Sequence, residues 1–169
     1  MIRQLHGHIT EAQINTISRI ICTQYRDYLQ LTGSLEFNRI FANEYAPHNR
    51  QHSISWAISS AFQSNTVIGN NLQISCLVYG CGHSRPLLSN DAIELMVLNR
   101  TTHFNAEYLR RRYQYNLNQF SNEKLFAYIR FSVENRQLVD IRLCLPDVDG
   151  NIIAEEVLFN KQEILRFVA

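Results

Sequence analysis

Apolar residues recur along this chain at two different periods, and the change from one to the other divides it. Ile14, Ile17, Ile21, Tyr25 and Tyr28 are spaced by three and four, the stripe that one face of an α-helix presents. Thr10-Glu11-Ala12-Gln13 precedes them with the spacing of a capping box, in which hydroxyl and amide each satisfy a free backbone N–H of the first turn. A helix is therefore expected from there to about Thr32-Gly33. Ser34 to Tyr45 fits either a loop or a short helix carrying Leu35 and Phe41 inward. Pro47, suited to a first helical turn, opens a second stripe of Ile54, Ala57, Ile58, Ala61 and Phe62 with Trp56 beside them, ending at Asn65 or at Gly69-Asn70-Asn71.

Beyond this point the runs shorten to strand length. Leu72–Tyr79 and Ala92–Leu98 read as strands, with Gly80-Cys81-Gly82-His83-Ser84-Arg85-Pro86 as a loop between them. Residues 105–120 return to the helical period through Ala106, Leu109, Tyr113, Leu117 and Phe120, a third long helix. Leu125, Ala127, Ile129, Phe131 and Val133 then alternate with more polar residues, as do Val139, Ile141, Leu143 and Leu145, so both segments read as half-buried strands. Pro146-Asp147-Val148-Asp149-Gly150-Asn151 is a hairpin turn leading into a returning strand, Ile152–Phe159, and Asn160-Lys161-Gln162-Glu163 resembles a cap for a short C-terminal helix.

The period-2 pair allows a finer expectation. Its odd-numbered residues share the buried face, so residues facing each other have numbers with an even sum. One such register sets Arg130 opposite Arg142. Another sets Arg130 opposite Asp140 and Tyr128 opposite Arg142, with the connection near Val133 to Gln137. Opposed unlike charges gain, and like charges lose, up to ~1 kcal/mol, so charge favours the second register.

The expected fold is thus α+β: an antiparallel or mixed sheet of about five strands, packed against three long helices and a short C-terminal one. Residues 1–169 read as one domain, helical to about residue 65 and sheet-rich beyond, a length sufficient for one core. A hydrophobic fraction of 46% with 18% charged residues is that of a globular chain. Met1 to His8 lacks the apolar stretch of a signal peptide, no run approaches the ~18 apolar residues of a membrane span, and the four cysteines read as free thiols. A cytoplasmic location without membrane contact follows as the expectation.

A net charge of +1 supplies no global field for a polyanion. Of the sixteen basic residues only Lys124 and Lys161 are lysine, leaving fourteen arginines, whose planar fork suits carboxylate or phosphate; codon preference accounts for the bias equally well. The densest cluster, Arg110-Arg111-Arg112, lies among Phe104, Tyr108, Tyr113 and Tyr115. Consecutive helical residues turn by ~100°, so two of these arginines can flank a phosphate but three cannot form a flat stripe. Tyr128, Arg130, Asp140 and Arg142, on the even-numbered strand face, could floor a ligand cleft or form a solvated cross-strand ladder.

Other constellations are weaker. His48, His52, Cys81 and His83 offer four zinc-type donors without a Cys-x-x-Cys or His-Glu-x-x-His spacing. Cys81 beside His83 has no accompanying oxyanion-hole motif. Asp147, Asp149 and Asn151 alternate as in a calcium loop, but the glycine falls early and position twelve is Leu158. Glu94 and Asp140 could hold a nuclease-type metal, though the usual Glu-x-Lys companion is missing. Phosphate-binding glycine loops and a Gly-x-Ser-x-Gly elbow are absent from the sequence. The leading expectation is therefore a non-enzymatic binding or regulatory module, with no cofactor or metal, acting on a protein partner, a second copy or an anionic ligand; nucleic acid is the less favoured partner. The alternatives are a metal-dependent enzyme acting on nucleic acid or a phosphorylated ligand, with Glu94, Asp140 and Arg110 to Arg112 in its site, and a small-ligand-binding domain.

Overall fold

The computed structural model describes residues 5–34, 47–78, 84–99, 124–134, 137–146, 151–160 and 162, with only the backbone described at 47–53, 77, 78, 84 and 99. Helix α1 spans Glu11–Gly33 and carries the anticipated capping box in full: the Gln13 N–H donates to Thr10 Oγ1 at 3.2 Å, and the Thr10 N–H donates to Gln13 Oε1 at 2.9 Å. Helix α2, Pro47–Gln63, begins at the proline, whose missing N–H costs nothing in a first turn. Asn65 does not extend α2 but caps a separate single turn, α3 (Thr66–Gly69), by accepting from the N–H groups of Val67 and Ile68.

Among the described residues six strands form one mixed sheet in sequence order: β1 (Gln73–Val78), β2 (Ser84–Ser89), β3 (Ile93–Asn99), β4 (Leu125–Glu134), β5 (Gln137–Pro146) and β6 (Ile152–Phe159). All neighbours are antiparallel except β3 and β4, which run parallel from Ile93↔Leu125 to Asn99↔Phe131. The fold is α+β as expected, with one strand more. The additional strand is β2, in and after the segment read as a loop on the strength of its glycines and Pro86. Its proline is tolerated because the β2–β3 ladder begins only at Leu87, leaving Pro86 bordered by β1 alone, opposite Cys76. Two of the three expected long helices are present. The third, at 105–120, lies outside the described residues, as does the C-terminal helix apart from its opening, where the Gln162 N–H donates to Asn160 Oδ1 at 3.0 Å.

The helices cover one sheet face. Helix α2 packs over β1 and β2, while α1 packs on α2 and reaches β5 and β6. Ile14, Ile17 and Ile21 of α1 and Ile54, Ile58 and Phe62 of α2 meet Leu88, Leu95, Val97, Ile129, Phe131, Ile141 and Leu143 in the main core. The Tyr25 ring meets Phe131 edge-on at 6.0 Å, fixing α1 to the sheet's centre. Trp56 does not join its neighbours inside; it is 60% exposed.

The β4–β5 register is the one that charge disfavoured. Arg130 faces Arg142, Tyr128 faces Cys144, and Ser132 faces Asp140. Two facts account for this. An irregularity after Ser132 leaves Val139 without a partner and brings Val133 opposite Leu138 and Glu134 opposite Gln137, so one parity rule does not hold along the whole pair. In addition, β6 supplies a carboxylate that two strands considered alone do not contain.

Candidate functional site

The second sheet face is not polar throughout. Leu87, Met96, Leu98, Phe126, Tyr128 and Cys144 form a separate buried apolar cluster there, with Tyr128 only 3% exposed. Three of the six, Phe126, Tyr128 and Cys144, hold even-numbered positions of β4 and β5, so both faces of these strands are buried at this end. Burial holds the Tyr128 hydroxyl neutral, pushing its pKa up to about 12, and likewise pushes the Cys144 thiol up to about 11 and Cys22 to about 12. None of these groups is a nucleophile at neutral pH.

Farther along the same face, β4, β5 and β6 assemble a cluster of two arginines and two carboxylates. Arg142 Nε donates to Asp140 Oδ2 at 2.8 Å, and its Nη1 donates to Glu155 Oε1 at 2.6 Å. The second Glu155 oxygen, Oε2, lies 3.5 Å from Arg130 Nη2. Glu155 therefore sits between two guanidinium groups that face each other on adjacent strands, and this offsets their repulsion. The bond from Asp140 raises the Arg142 pKa further above its ordinary value. Two positive and two negative charges balance, so the cluster presents no net field to an anion.

The cluster also holds hydrogen-bonding capacity that the other described residues do not take up. Arg130 Nε, Ser132 Oγ and Asp140 Oδ1 are buried and have no hydrogen-bond partner among the described residues. Ser132 is 2% exposed and faces Asp140, with Arg130 two residues along on the same face. A donor, a hydroxyl able to do both, and a carboxylate acceptor are thus gathered in one small area. Leaving such an atom buried and unbonded costs about 1–3 kcal/mol, so three together are costly for a fold to retain.

No protein-family model, no curated protein and no solved structure matches the chain. The site is therefore read from its own geometry. Of the residues singled out in the sequence, the structure brings Arg130, Asp140 and Arg142 together and sets Tyr128 in the adjoining apolar cluster. Arg110, Arg111 and Arg112 lie outside the described residues, as do Cys81, His83, Asp147 and Asp149, and the side chains of His48 and His52 are not described. Among the described residues no three His, Cys, Asp or Glu side chains gather as a metal site would need. Glu94 is level with Phe126 on β4, and Asp140 with Ser132. Six residues at ~3.3 Å each place the two carboxylates ~20 Å apart along the strands, too far to share one ion.

Ser132 and Glu155 are the members that sequence reasoning missed. Ser132 was within reach, since it shares strand and parity with Tyr128 and Arg130. Glu155 was not, because β6 pairs with β5 through two irregularities, between Ile141 and Arg142 and between Leu145 and Pro146, that break the alternation on which a face assignment depends.

A shallow cleft of about 360 Å³ between the start of α1 and α3, lined by Thr10, Gln13, Thr66, Val67, Asn70 and Asn71, has a structural purpose. Gln13 spends its amide on the capping box and on donating to Asn71 Oδ1 at 2.8 Å and the Ile68 carbonyl at 3.4 Å, which ties α3 to α1.

Proposed function

We propose that this chain is a non-enzymatic binding module, and that the Arg130–Ser132–Asp140–Arg142–Glu155 face is its recognition surface. The observation that carries this reading is the convergence of three buried, unbonded polar atoms beside a charge-balanced pair of arginines. A partner offering one acceptor and one donor, as an amide does, meets Arg130 Nε and Asp140 Oδ1 once the part-exposed Arg130 and Arg142 side chains move aside to uncover them, and supplies hydrogen bonds that the described residues do not. Charge balance favours a neutral group of this kind over a phosphate, because an anion would have to displace Asp140 or Glu155 from Arg142.

Acetamide, a minimal donor and acceptor, is the probe for this reading. Titrating it while following the Arg130 Nε–Hε resonance by nuclear magnetic resonance is expected to give a saturable shift, absent in Ser132→Ala. A linear, unsaturable response, a response equal in the variant, or a crystal structure in which one ordered water bridges all three atoms even when soaked in acetamide would each overturn it.

A further inference from the structure

The sheet ends in two edge strands of opposite character. On β6, Glu155 and Glu156 occupy the middle of the strand, and the pairing with β5 skips Leu158 and Ile153, leaving a bulge toward each end. Mid-strand charges and bulges are the devices by which natural sheets prevent a free edge from pairing with another chain. A two-fold self-pairing centred on this strand would also set Glu155 or Glu156 against its own copy. The exposed Ile152, Ile153 and Val157 are thus held on an edge that resists pairing.

β1 has none of these devices. Gln73-Ile74-Ser75-Cys76-Leu77-Val78 carries no charge and no proline. All six residues pair with β2 in unbroken register from Gln73↔Ser89 to Val78↔Ser84, so the strand is regular from end to end. Gln73 and Ser75 are exposed, and no described strand lies beyond it. A regular, uncharged edge is a template for another strand, and among the described residues one edge is guarded and the other is not.

We infer that β1 is a self-association edge, pairing antiparallel with β1 of a second copy about a two-fold axis at Ser75. That register sets Ser75 against Ser75, Ile74 against Cys76 and Gln73 against Leu77 of the other copy. It opposes no like charges, and it keeps each face of one sheet continuous with the same face of the other. Because the strand is charge-free, the same segment serves as both partners without opposing like charges, and the occupant inferred is a second copy. The paired sheets would form twelve continuous strands, with the two α2 helices, which pack over β1 and β2, brought alongside each other. Trp56, the chain's one tryptophan and 60% exposed, is carried on that helix.

The test is the solution mass of the full chain by light scattering across a concentration series, with Trp56 emission recorded in parallel. The expected result is a rise from 19.7 kDa toward twice that value. Ser75→Lys, a change at an exposed position that sets a charge against itself on the axis, is expected to weaken dimerisation at least tenfold while leaving the melting temperature of the dilute protein unaltered. Ile153→Lys on the guarded edge is expected to leave the dimer intact, and Ser75→Cys to give an intermolecular disulfide on mild oxidation. A wild-type mass that stays at 19.7 kDa up to about millimolar concentration overturns the inference, and so does a dimer that survives Ser75→Lys unweakened.

Discussion

Glu155→Gln tests the most specific electrostatic feature of the sheet. The substitution keeps the shape of the side chain and removes the charge that stands 2.6 Å from Arg142 Nη1 and 3.5 Å from Arg130 Nη2. Glu155 is 39% exposed, so each of its ion pairs belongs near the solvent-screened range of about 0.2–1 kcal/mol rather than to a buried one. The Arg130–Arg142 repulsion is present with or without Glu155 and cancels from the difference, so the cost is the loss of the two attractions. Together these give about 1–1.5 kcal/mol at low salt. In an Arg130→Met background, where the apolar stem is kept and the Arg130–Glu155 attraction is already gone, the same change is expected to cost only about 0.5 kcal/mol, a coupling of about 0.5–1 kcal/mol. Urea denaturation of the four proteins of this cycle, in low salt and again in about 1 M salt, measures it; the coupling should shrink in the second condition because the charges are partly exposed. Coupling within about 0.4 kcal/mol of zero at low salt would refute the account of why the Arg130–Arg142 register is tolerated, since independent sites add to within that margin.

Further outcomes follow from the same geometry. Cys22, Tyr128 and Cys144 have folded pKa values raised above the ordinary 9.0, 10.0 and 9.0, so the unfolded chain loses these protons first. Their contribution to stability is whole below about pH 9 and declines as pH rises through about 11–12; urea midpoints should be level near neutrality and fall above about pH 9, less so in Tyr128→Phe, and a level profile to about pH 11 would contradict this. Thr10→Ala removes the capping hydroxyl of α1 and is expected to cost about 1 kcal/mol by urea denaturation; a loss under about 0.3 kcal/mol would show that Gln13 holds the helix end unaided. Phe62→Ala empties a fully buried site between α2 and the sheet and is expected to cost about 3–5 kcal/mol, against which a cost below 2 kcal/mol would mean that the core around Ile58 and Leu88 collapses into the space.

Much of the candidate site was legible in the chain. Alternation in residues 125–145 was enough to place Tyr128, Arg130, Asp140 and Arg142 on one face, because side-chain direction along a strand depends only on parity until a bulge intervenes. The bulge at Val139 and the two irregularities of β6 mark the limit of that rule. Burial of Phe126 and Cys144 was not legible for a related reason: an apolar residue at a nominally outward position is ordinary in sequence, and its burial depends on what covers the face.

Local patterns by themselves determined α1 with its Thr10–Gln13 capping box, the start of α2 at Pro47, the alternation of β4 and β5, and the Ile152–Phe159 strand, since each depends on contacts within a few residues. Only the tertiary structure decided that β3 pairs parallel to β4, that Ser84–Ser89 is a strand despite Pro86, and that Arg130 faces Arg142. These are matters of which segments become neighbours, and the energy that settles them comes from residues far apart in the chain. Glu155, thirteen residues beyond Arg142 and one strand away, outweighs the local repulsion that made the observed register the less favoured of the two.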